Sequence, residues 1–475
     1  MLFPTVDFAL FFALVFVGHW LLNPRLRVWK WFMIGASYVF YAWWDPRFVP
    51  LLAGVSAISQ AGALVVARAA DHPSRRWAVG LVCAAILAPL AFFKYYGFFA
   101  LSAANALGSL GVSSPVPLAQ IVLPVGVSFF TFMAISYVVD VHRGETEVAS
   151  TLDVFLYLSF FPHLVAGPIV RPNELIPQLD APRERRRIDV AGASWLIFGG
   201  LFKKVVISSF LVAQIVDPVF GDPTQHSALE ALFAIWGYAV VIYADFSGYT
   251  DIAIGVAKML GFEFPRNFDR PYSARSIGEF WRRWHMTLSR WLRDYLYIPL
   301  GGSRRGERRT YVSLMLTMVL GGLWHGAAWT FVLWGTLHGG YLAIGRSARA
   351  QREAGRLPAP RETPARIWLQ RAITFHLVCL GWVLFRSDSV ATAWTLLGRL
   401  VNGWSEPSTL VTPGVVIAVA VTLGLQFAPR APAGHAQAWL AQLRPVPMGM
   451  VLAFALFAIT TVGPQGVAPF IYFQF

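Results

Sequence analysis

Charged residues are scarce in this 475-residue chain. Only 13% of the residues are Asp, Glu, Lys or Arg, against about a quarter in a soluble domain, whereas 56% are hydrophobic. The apolar residues form runs that can cross a hydrocarbon core of about 30 Å, which takes about 20 helical residues. These two features exclude the soluble fold classes and predict an all-α, polytopic integral membrane protein.

Acidic residues are fewer still, with 25 Asp and Glu against 39 Lys and Arg, for a net charge of +14. In a soluble protein this excess would suggest a nucleic-acid partner. Here the basic residues lie in short loops between apolar runs, as the positive-inside rule predicts, so no nucleic acid is expected. The only two cysteines, Cys83 and Cys379, lie inside apolar runs, which predicts buried thiols and neither a disulfide framework nor a metal site.

Twelve apolar segments predict about 10–12 transmembrane helices in one membrane domain over residues 1–475. The candidate spans are residues 5–22, 31–44, 48–67, 77–100, 119–140, 151–166, 190–216, 228–260, 311–345, 367–385, 411–427 and 446–462. The N-terminus has no basic region before its apolar run, which predicts a retained first span and not a signal peptide. Basic clusters are predicted to be cytoplasmic, which places the N-terminus outside. They are Arg25, Arg27 and Lys30; Arg68, Arg75 and Arg76; and Arg183, Arg185, Arg186 and Arg187.

Two segments have basic residues at both flanks, so both of their ends are expected in the cytoplasm. Segment 151–166 is therefore predicted to be re-entrant, and Pro162, Gly167 and Pro168 are expected to break a straight helix. Such irregular backbone is tolerated at membrane depth only beside protein or a water-filled cavity. Residues 310–345 contain no charged side chain, and as one helix they would measure about 54 Å. A bent hairpin or two broken half-spans, with the break at Gly321-Gly322, is therefore expected, although one long tilted helix stays open. Residues 346–366 are expected to form a flexible cytoplasmic loop.

The segment 266–309 contains eleven arginines and four acidic residues. Ser276 and Glu279 have the spacing of a helix-capping box, and Pro299, Gly301 and Gly302 predict the helix end. Apolar residues recur at helical spacing between these signals, so a basic amphipathic helix is predicted at the membrane surface or beside a cytoplasmic cavity. His285 is expected to point with the apolar stripe of this helix.

His325, in the sequence Gly-Gly-Leu-Trp-His-Gly, is the strongest candidate functional residue. An ionisable side chain deep in an uncharged run is costly and by default marks a functional site, and imidazole suits proton transfer near neutral pH. A core histidine bonded to a carbonyl is the alternative. His338 lies about 220° further round a continuous helix and is expected to be structural and near the helix end. His163, in the re-entrant candidate, is expected to line a cavity.

Several catalytic motifs are missing. The chain has no HExxH, no CxxC, no GxSxG elbow and no Walker pattern, so nothing supports a metal site, a serine hydrolase or an ATPase.

Seven short motifs, in order, make the chain resemble the membrane-bound O-acyltransferase family, and within it the bacterial branch that acetylates exported polysaccharides such as alginate. They are residues 125–132, 161–172, 243–253, 267–272, 280–289, 324–329 and 470–475, with core motifs over 121–345. The resemblance implies a ring of tilted helices around a central tunnel in the bacterial inner membrane.

The resemblance also maps the family's two functional histidines onto His285 and His325. It implies that His325 acts as general base on a hydroxyl, while His285 orients or shares the proton or hydrogen-bonds the thioester carbonyl. The implied donor is a cytoplasmic thioester, expected to be acetyl-CoA, with no permanently bound cofactor. A periplasmic acetyltransferase and polysaccharide export machinery are the implied partners.

Further residues are expected to line the substrate tunnel. They are His163, Trp324, Trp284, Arg282, Arg283 and Asn267. Arg282 and Arg283, with Arg304 and Arg305, could meet the donor's phosphates, although positive-inside placement explains them equally well.

Two other functions stay open at this point. One is D-alanyl transfer to teichoic acid from a carrier-protein thioester, which keeps the fold and changes the donor. The other is a transporter or flippase without chemistry, which usually carries internal repeats that are not visible here.

Overall fold

The part of the protein that the structure describes is mostly helical. A computed structural model describes residues 1–69, 72–112, 121–184, 188–358, 361–429 and 431–464, and no strand occurs among them. The all-α prediction is confirmed. The terminal motif 470–475 and the predicted basic residues Arg185, Arg186 and Arg187 lie outside the described residues.

Packing groups the chain into two compact units. The first contains Met1–Ala193 and Ala253–Pro265, and the second contains Ser194–Ile252 and Arg266–Phe475. The helices of the first unit are α1 (Val6–Leu22), α2 (Leu26–Ala42), α3 (Val49–Arg68), α4 (Arg75–Leu90), α5 (Tyr96–Ser109), α6 (Val127–Arg143), α7 (Thr151–Ser159), α8 (Phe161–Leu164) and α9 (Pro172–Leu175). A π-helical stretch, Ala91–Tyr95, joins α4 to α5.

Two of the three unit boundaries fall within helices, α10 (Val190–Leu201) and α13 (Ala228–Met259), and the third follows Pro265. The other helices of the second unit are α11 (Ser209–Leu211), α12 (Asp217–Gly221), α14 (Ile277–Arg283), α15 (Met286–Trp291), α16 (Glu307–His325), α17 (Trp329–Glu353), α18 (Pro364–Arg386), α19 (Val390–Asn402), α20 (Pro413–Leu425), α21 (Ala431–Gln442) and α22 (Pro445–Val462). The amphipathic helix α19 and helix α21 lie between predicted spans and were missed. The prediction of a single membrane domain stays a prediction, which one cooperative unfolding transition would support.

Six helical stretches among the described residues are long and apolar enough to cross a bilayer. They are Pro46–Arg68, Arg75–Ser109, Val190–Gly221, Ala228–Met259, Pro364–Arg386 and Pro445–Val462. The apolar helices α1 and α20 are shorter. Helices suit this role because every backbone N–H and C=O is bonded within the segment, where no water is available. The chain is therefore a multi-pass membrane protein.

The charge-free run 310–345 folds as two helices that pack antiparallel, so the expected hairpin is confirmed. Its break is not at Gly321-Gly322, as predicted, but at Gly326–Ala328. Gly322 lies inside α16, where the neighbouring helix comes too close for a side chain: a Cβ there would lie 2.3 Å from the carbonyl oxygen of Phe331. A Cβ on Gly335 would likewise lie 2.4 Å from the carbonyl of Met318. Small residues commonly allow such backbone contact between membrane helices.

The predicted amphipathic helix of the basic segment is not continuous. It begins as expected, with Ser276 Oγ accepting the backbone N–H of Glu279 at 3.2 Å. It stops at Arg283, restarts at Met286, and continues through the π-helical turn Leu292–Tyr297. The break is at His285, whose φ of +41° is in the left-handed region that side chains disfavour. The direction of the His285 side chain is therefore set by this break and not by helical periodicity.

Segment 151–166, the predicted loop 346–366 and the two cysteines can also be compared with their predictions. Segment 151–166 is broken as predicted, since α7 ends at Ser159 and α8 starts two residues later, whereas its re-entrant path stays a prediction. The loop predicted over residues 346–366 is wrong in its first part, because α17 continues to Glu353. Both cysteines are unpaired; Cys379 is buried and Cys83 is half-buried.

Candidate active site

His285 is held by a network of hydrogen bonds around Asn267. The side-chain oxygen of Asn267 accepts the backbone N–H of Thr287 at 3.1 Å and its hydroxyl at 3.0 Å, and lies 3.3 Å from His285 Nδ1. The backbone of Asn267 also accepts the N–H of Met286 at 2.9 Å. These bonds hold the chain in the left-handed turn, and unusual backbone of this kind clusters at functional sites.

The same network determines the protonation of the imidazole. Because a backbone N–H donates to Asn267 Oδ1, this atom is an oxygen and can only accept, so His285 Nδ1 must carry the hydrogen. Nε2 then presents its lone pair. Burial lowers the pKa of His285 to about 3, so the ring is neutral at physiological pH.

Two buried polar atoms at this point make no hydrogen bond within the described part of the chain. They are His285 Nε2, an acceptor, and Asn267 Nδ2, a donor. Both residues are almost completely buried. Buried polar groups in proteins are nearly always paired, so these two atoms, on side chains that contact each other, are candidates for hydrogen bonds to a polar substrate.

His325 is the last residue of α16, next to the turn of the helical hairpin. Its ring lies 5.1 Å from that of Trp334 and 5.3 Å from that of Phe385, measured between centroids, and the residue is only 3% exposed. Gly326 lets the chain turn here, because a Cβ on it would lie 2.0 Å from the ring of Phe331. His325 is therefore fixed on three sides by aromatic side chains and the turn.

Trp324 connects the two histidines. Its ring centroid lies 6.2 Å from that of His285 and 5.0 Å from that of His325. Phe246 of α13 packs edge-on against His285 from another side at 4.6 Å. The structure therefore brings the two sequence-predicted histidines, Trp324 and Asn267 into one buried cluster in the second unit.

The other residues predicted to line the tunnel do not all lie at this cluster. Trp284 is buried and packs at 5.0 Å from both Phe268 and Trp382, at the edge of this cluster. Arg282 is exposed, whereas Arg283 donates to Glu279 at 2.7 Å and to Ser273 at 2.9 Å. His163 lies in the first unit, fully buried, with Nε2 2.9 Å from the carbonyl oxygen of Tyr157 and its ring 5.3 Å from that of Phe264.

Sequence reasoning missed several members of the cluster. Trp334 contacts His325 at 5.1 Å and His338 at 4.8 Å, so the two histidines are not on unrelated faces, as a continuous helix would require. His338 is also far from the end of its helix, and it accepts the indole N–H of Trp281 at 3.3 Å. No periodicity reveals this proximity, since it depends on the break between α16 and α17.

Similarity to known proteins indicates the family of the chain. The model of the MBOAT, membrane-bound O-acyltransferase family matches residues 126–387, which include both histidines. The chain is 37% identical to the "Probable alginate O-acetylase AlgI" of Azotobacter vinelandii over the full length of both chains. It is 34% identical to the "Peptidoglycan O-acetyltransferase" of Helicobacter pylori, over 85% of this chain and 80% of that one. It is 28% identical to the "Teichoic acid D-alanyltransferase" of Bacillus subtilis, over 55% of this chain and 68% of that one.

The family match covers more than half of the chain, and full-length similarity accompanies it. Together with the apolar spans and the buried histidine cluster, this identifies the chain as a member of the membrane-bound O-acyltransferase family and the protein as an O-acyltransferase.

Proposed function

We propose that the protein moves an acetyl group from a cytoplasmic thioester, acetyl-CoA, across the membrane for O-acetylation of an exported polysaccharide such as alginate. One observation carries the proposal: His285 and His325 both contact Trp324 in a buried cluster, where Asn267 and His285 present an unpaired donor and an unpaired acceptor. The names of the relatives that are similar over most of their length favour acetyl transfer to a cell-envelope polymer.

His325 is the general base in this proposal. It takes the proton of the acceptor hydroxyl while the hydroxyl oxygen attacks the thioester carbonyl, and such catalysis typically contributes about 10²–10⁴-fold. The carbon–oxygen ester bond forms, the carbon–sulfur bond breaks, and the leaving thiolate receives the proton. The position of His325 at the carbonyl end of α16 favours the positive charge that develops on its ring.

In this proposal, His285 orients the acceptor hydroxyl. Its Nε2 carries no hydrogen and therefore cannot donate to the thioester carbonyl, whereas it can accept a hydrogen bond from a hydroxyl. Because its pKa is low, the His285 ring is a poor proton acceptor. His285 therefore orients the hydroxyl and does not take its proton. Asn267 Nδ2, a donor without a partner in the described residues, is the group suited to a developing oxyanion.

The proposed function also includes a location in the cell and partner proteins. We place the protein in the bacterial inner membrane with its N-terminus outside, since the basic residues of the loop between α1 and α2 are expected in the cytoplasm. A periplasmic acetyltransferase completes the transfer to the polymer, in association with the polysaccharide export machinery.

The test measures polysaccharide-linked acetate by NMR of exported polymer. Cells that lack their own copy of the protein express wild type, His325→Ala, His285→Ala or the control His435→Ala, which alters an exposed histidine of α21. At matched membrane expression, we expect acetate to be lost with His325→Ala, strongly reduced with His285→Ala and unchanged with the control, with polymer yield intact throughout.

Other outcomes would select a different function. Unchanged acetate with His325→Ala would contradict the catalytic assignment. Lost export of polymer, with normal acetate on the remainder, would favour a transporter. Loss of D-alanine from teichoic acid in a host that makes it, with an acyl-loaded carrier and not acetyl-CoA as donor, would favour D-alanyl transfer.

A further inference from the structure

Helix α19 (Val390–Asn402) carries large apolar side chains on the side that points away from the protein. Trp394 is 77% exposed and Val401 is 75% exposed. These two residues are seven positions apart, and Val390 lies four positions before Trp394, so all three share one face of the helix. Trp404, just past the helix end, is exposed as well. These four residues are called the α19 stripe below.

The charged residue of the helix has the opposite orientation. Arg399 is the only charged side chain of α19, and it is only 18% exposed. Its Nε donates to the carbonyl oxygen of His226 at 2.7 Å, and its guanidinium group pairs with Glu406. A helix on the surface of a soluble domain turns its charges to water and its apolar stripe to the core. Helix α19 does the reverse, so its exposed face requires an apolar environment.

This exposure is not the result of a loosely held helix. The segment after α19 is bound to the start of α13, because the buried carboxylate of Glu230 accepts the backbone N–H of Thr409 at 2.6 Å and of Leu410 at 2.8 Å. The carbonyl oxygen of Gly403 also accepts the N–H of Ala228 at 2.9 Å. These contacts fix which side of α19 faces outward.

The neighbours of α19 in the chain indicate what covers the stripe. Helix α18 is long and apolar enough to cross the bilayer, and it ends at Arg386, four residues before α19 begins. The apolar helix α20 begins at Pro413, eleven residues after α19 ends. Helix α19 is therefore held at the end of a membrane span, where tryptophan is enriched because its ring is amphipathic. An uncharged stripe with two tryptophans at this place matches a helix that lies in the membrane interface.

The charges on the two sides of α18 indicate the membrane surface. Residues 346–371, around its start, contain seven arginines and two acidic residues. Residues 386–412, after its end, contain two arginines and two acidic residues, so they have no net charge. The positive-inside rule places the arginine-rich start of α18 in the cytoplasm and α19 at the outer surface.

We propose that α19 lies along the outer surface of the membrane, with the α19 stripe inserted between lipid headgroups and the upper acyl chains. Its partner is the phospholipid bilayer itself. The anchor sets the depth of the outer end of α18, where Phe385 lies 5.3 Å from the ring of His325, measured between centroids. The inference goes beyond the proposed function, and only its assignment to the outer surface rests on the proposed orientation.

The experiment measures the depth of nitroxide labels by electron paramagnetic resonance. The full-length protein, with both cysteines replaced by alanine, is placed in phosphatidylcholine nanodiscs and labelled at Trp394→Cys or Val401→Cys. Collisions with oxygen, which concentrates in lipid, are compared with collisions with a water-soluble nickel chelate. The water control is Arg356→Cys, at an exposed position outside the spans, and the lipid control is Phe454→Cys, exposed on α22.

We expect both labels on α19 to lie about 5–10 Å below the headgroup surface, between the two controls. Labels as accessible to the nickel chelate as Arg356→Cys would show that the stripe lies in water, and this result would overturn the proposal in favour of a surface that binds a protein. Each position is labelled in its own variant, so failure of one variant to fold leaves the other decisive. Both side chains are mostly exposed and contact little of the protein.

A second labelling experiment tests the side of the membrane. In spheroplasts, a membrane-impermeant maleimide should react with Ser405→Cys, three residues past the end of α19, and not with Ala365→Cys, in the first turn of α18, until the membrane is permeabilised. Both positions are exposed. The reverse pattern would overturn the outer-surface assignment together with the proposed orientation. The proposed acetyl transfer fails separately, by unchanged polymer acetate with His325→Ala.

Discussion

Asp245 of α13 and Lys204, in the π-helical turn that follows α10, form an ion pair in which each side chain is only 3% exposed. Both residues lie in stretches long and apolar enough to cross the bilayer. The pair also helps to position Phe246, the residue after Asp245, which packs against the ring of His285 in the active site. Charges in such segments are costly unless they are paired, which explains why these two residues meet.

The first prediction concerns this pair. Lys204→Met leaves a buried carboxylate without its counter-charge, so we expect a loss of about 3–5 kcal/mol in stability, whereas Lys204→Met/Asp245→Leu recovers most of it. Thermal unfolding of the purified protein in detergent is the measurement. The matched pair Lys203–Asp251, with side chains 22% and 30% exposed, should show a smaller loss when Lys203 is replaced by Met. Equal losses for both lysines would contradict this account.

The second prediction concerns Asn267. Asn267→Ala removes the acceptor that holds the hydrogen on His285 Nδ1, so the ring can rotate and change tautomer, and it also removes the Nδ2 donor proposed for the oxyanion. We expect the rate of acetyl transfer to fall about 10–100-fold while the protein level in the membrane is kept, because misplacing a positioned group by about 1 Å can cost 10²-fold. Thr287→Val is the control, since it removes one donor to Asn267 and leaves the bond to His285. A comparable fall with Thr287→Val would show that the whole turn, and not the imidazole, is responsible.

The third prediction is a pH dependence of stability. His285 lies outside the segments long enough to cross the membrane, and burial lowers its pKa from 6.5 to about 3. Between these values the unfolded chain binds a proton that the folded chain does not, so stability falls as the pH falls from 6.5 toward 3, by up to about 1.4 kcal/mol per pH unit for this group.

The measurement is the midpoint of thermal unfolding against pH for wild type and His285→Gln, a neutral side chain of similar polarity. The difference between the two proteins should be constant above pH 6.5 and change below it, where wild type loses stability faster. A difference that stays constant down to pH 4 would show that His285 titrates normally in the folded protein.

The fourth prediction tests the helical hairpin that places His325. Gly335→Ala puts a Cβ 2.4 Å from the carbonyl oxygen of Met318, so α16 and α17 must move apart. We expect a loss of about 1–3 kcal/mol in stability and a fall in acetyl transfer, measured by unfolding in detergent and by polymer acetate. Gly340→Ala, five residues further along α17 in open space, should change neither. If both variants were equally active, close contact of the two helices would not be needed for catalysis.

The sequence by itself determined the class of the protein and its principal catalytic candidate. Low charge and long apolar runs require a helical membrane protein, since only internal hydrogen bonding satisfies a backbone in lipid. The cost of a buried ionisable group singled out His325 before any contact was known. The same reasoning requires partners of opposite sign for Lys204 and Asp245, which stand in predicted spans, but it does not decide which charges pair, since Lys203 and Asp251 stand in the same spans.

Only the tertiary structure decided how the site is assembled. The break at His285 replaced a predicted continuous helix, because three hydrogen bonds to Asn267 Oδ1, one of them from the imidazole, hold a left-handed turn that periodicity does not encode. The hairpin turns at Gly326 and not at Gly322, and Gly322 instead allows the backbone of the facing helix to lie against it. Local sequence fixes which residues prefer a helix or an apolar environment. Where a helix ends, and which side chains then meet, depends on close contacts between segments distant in the chain.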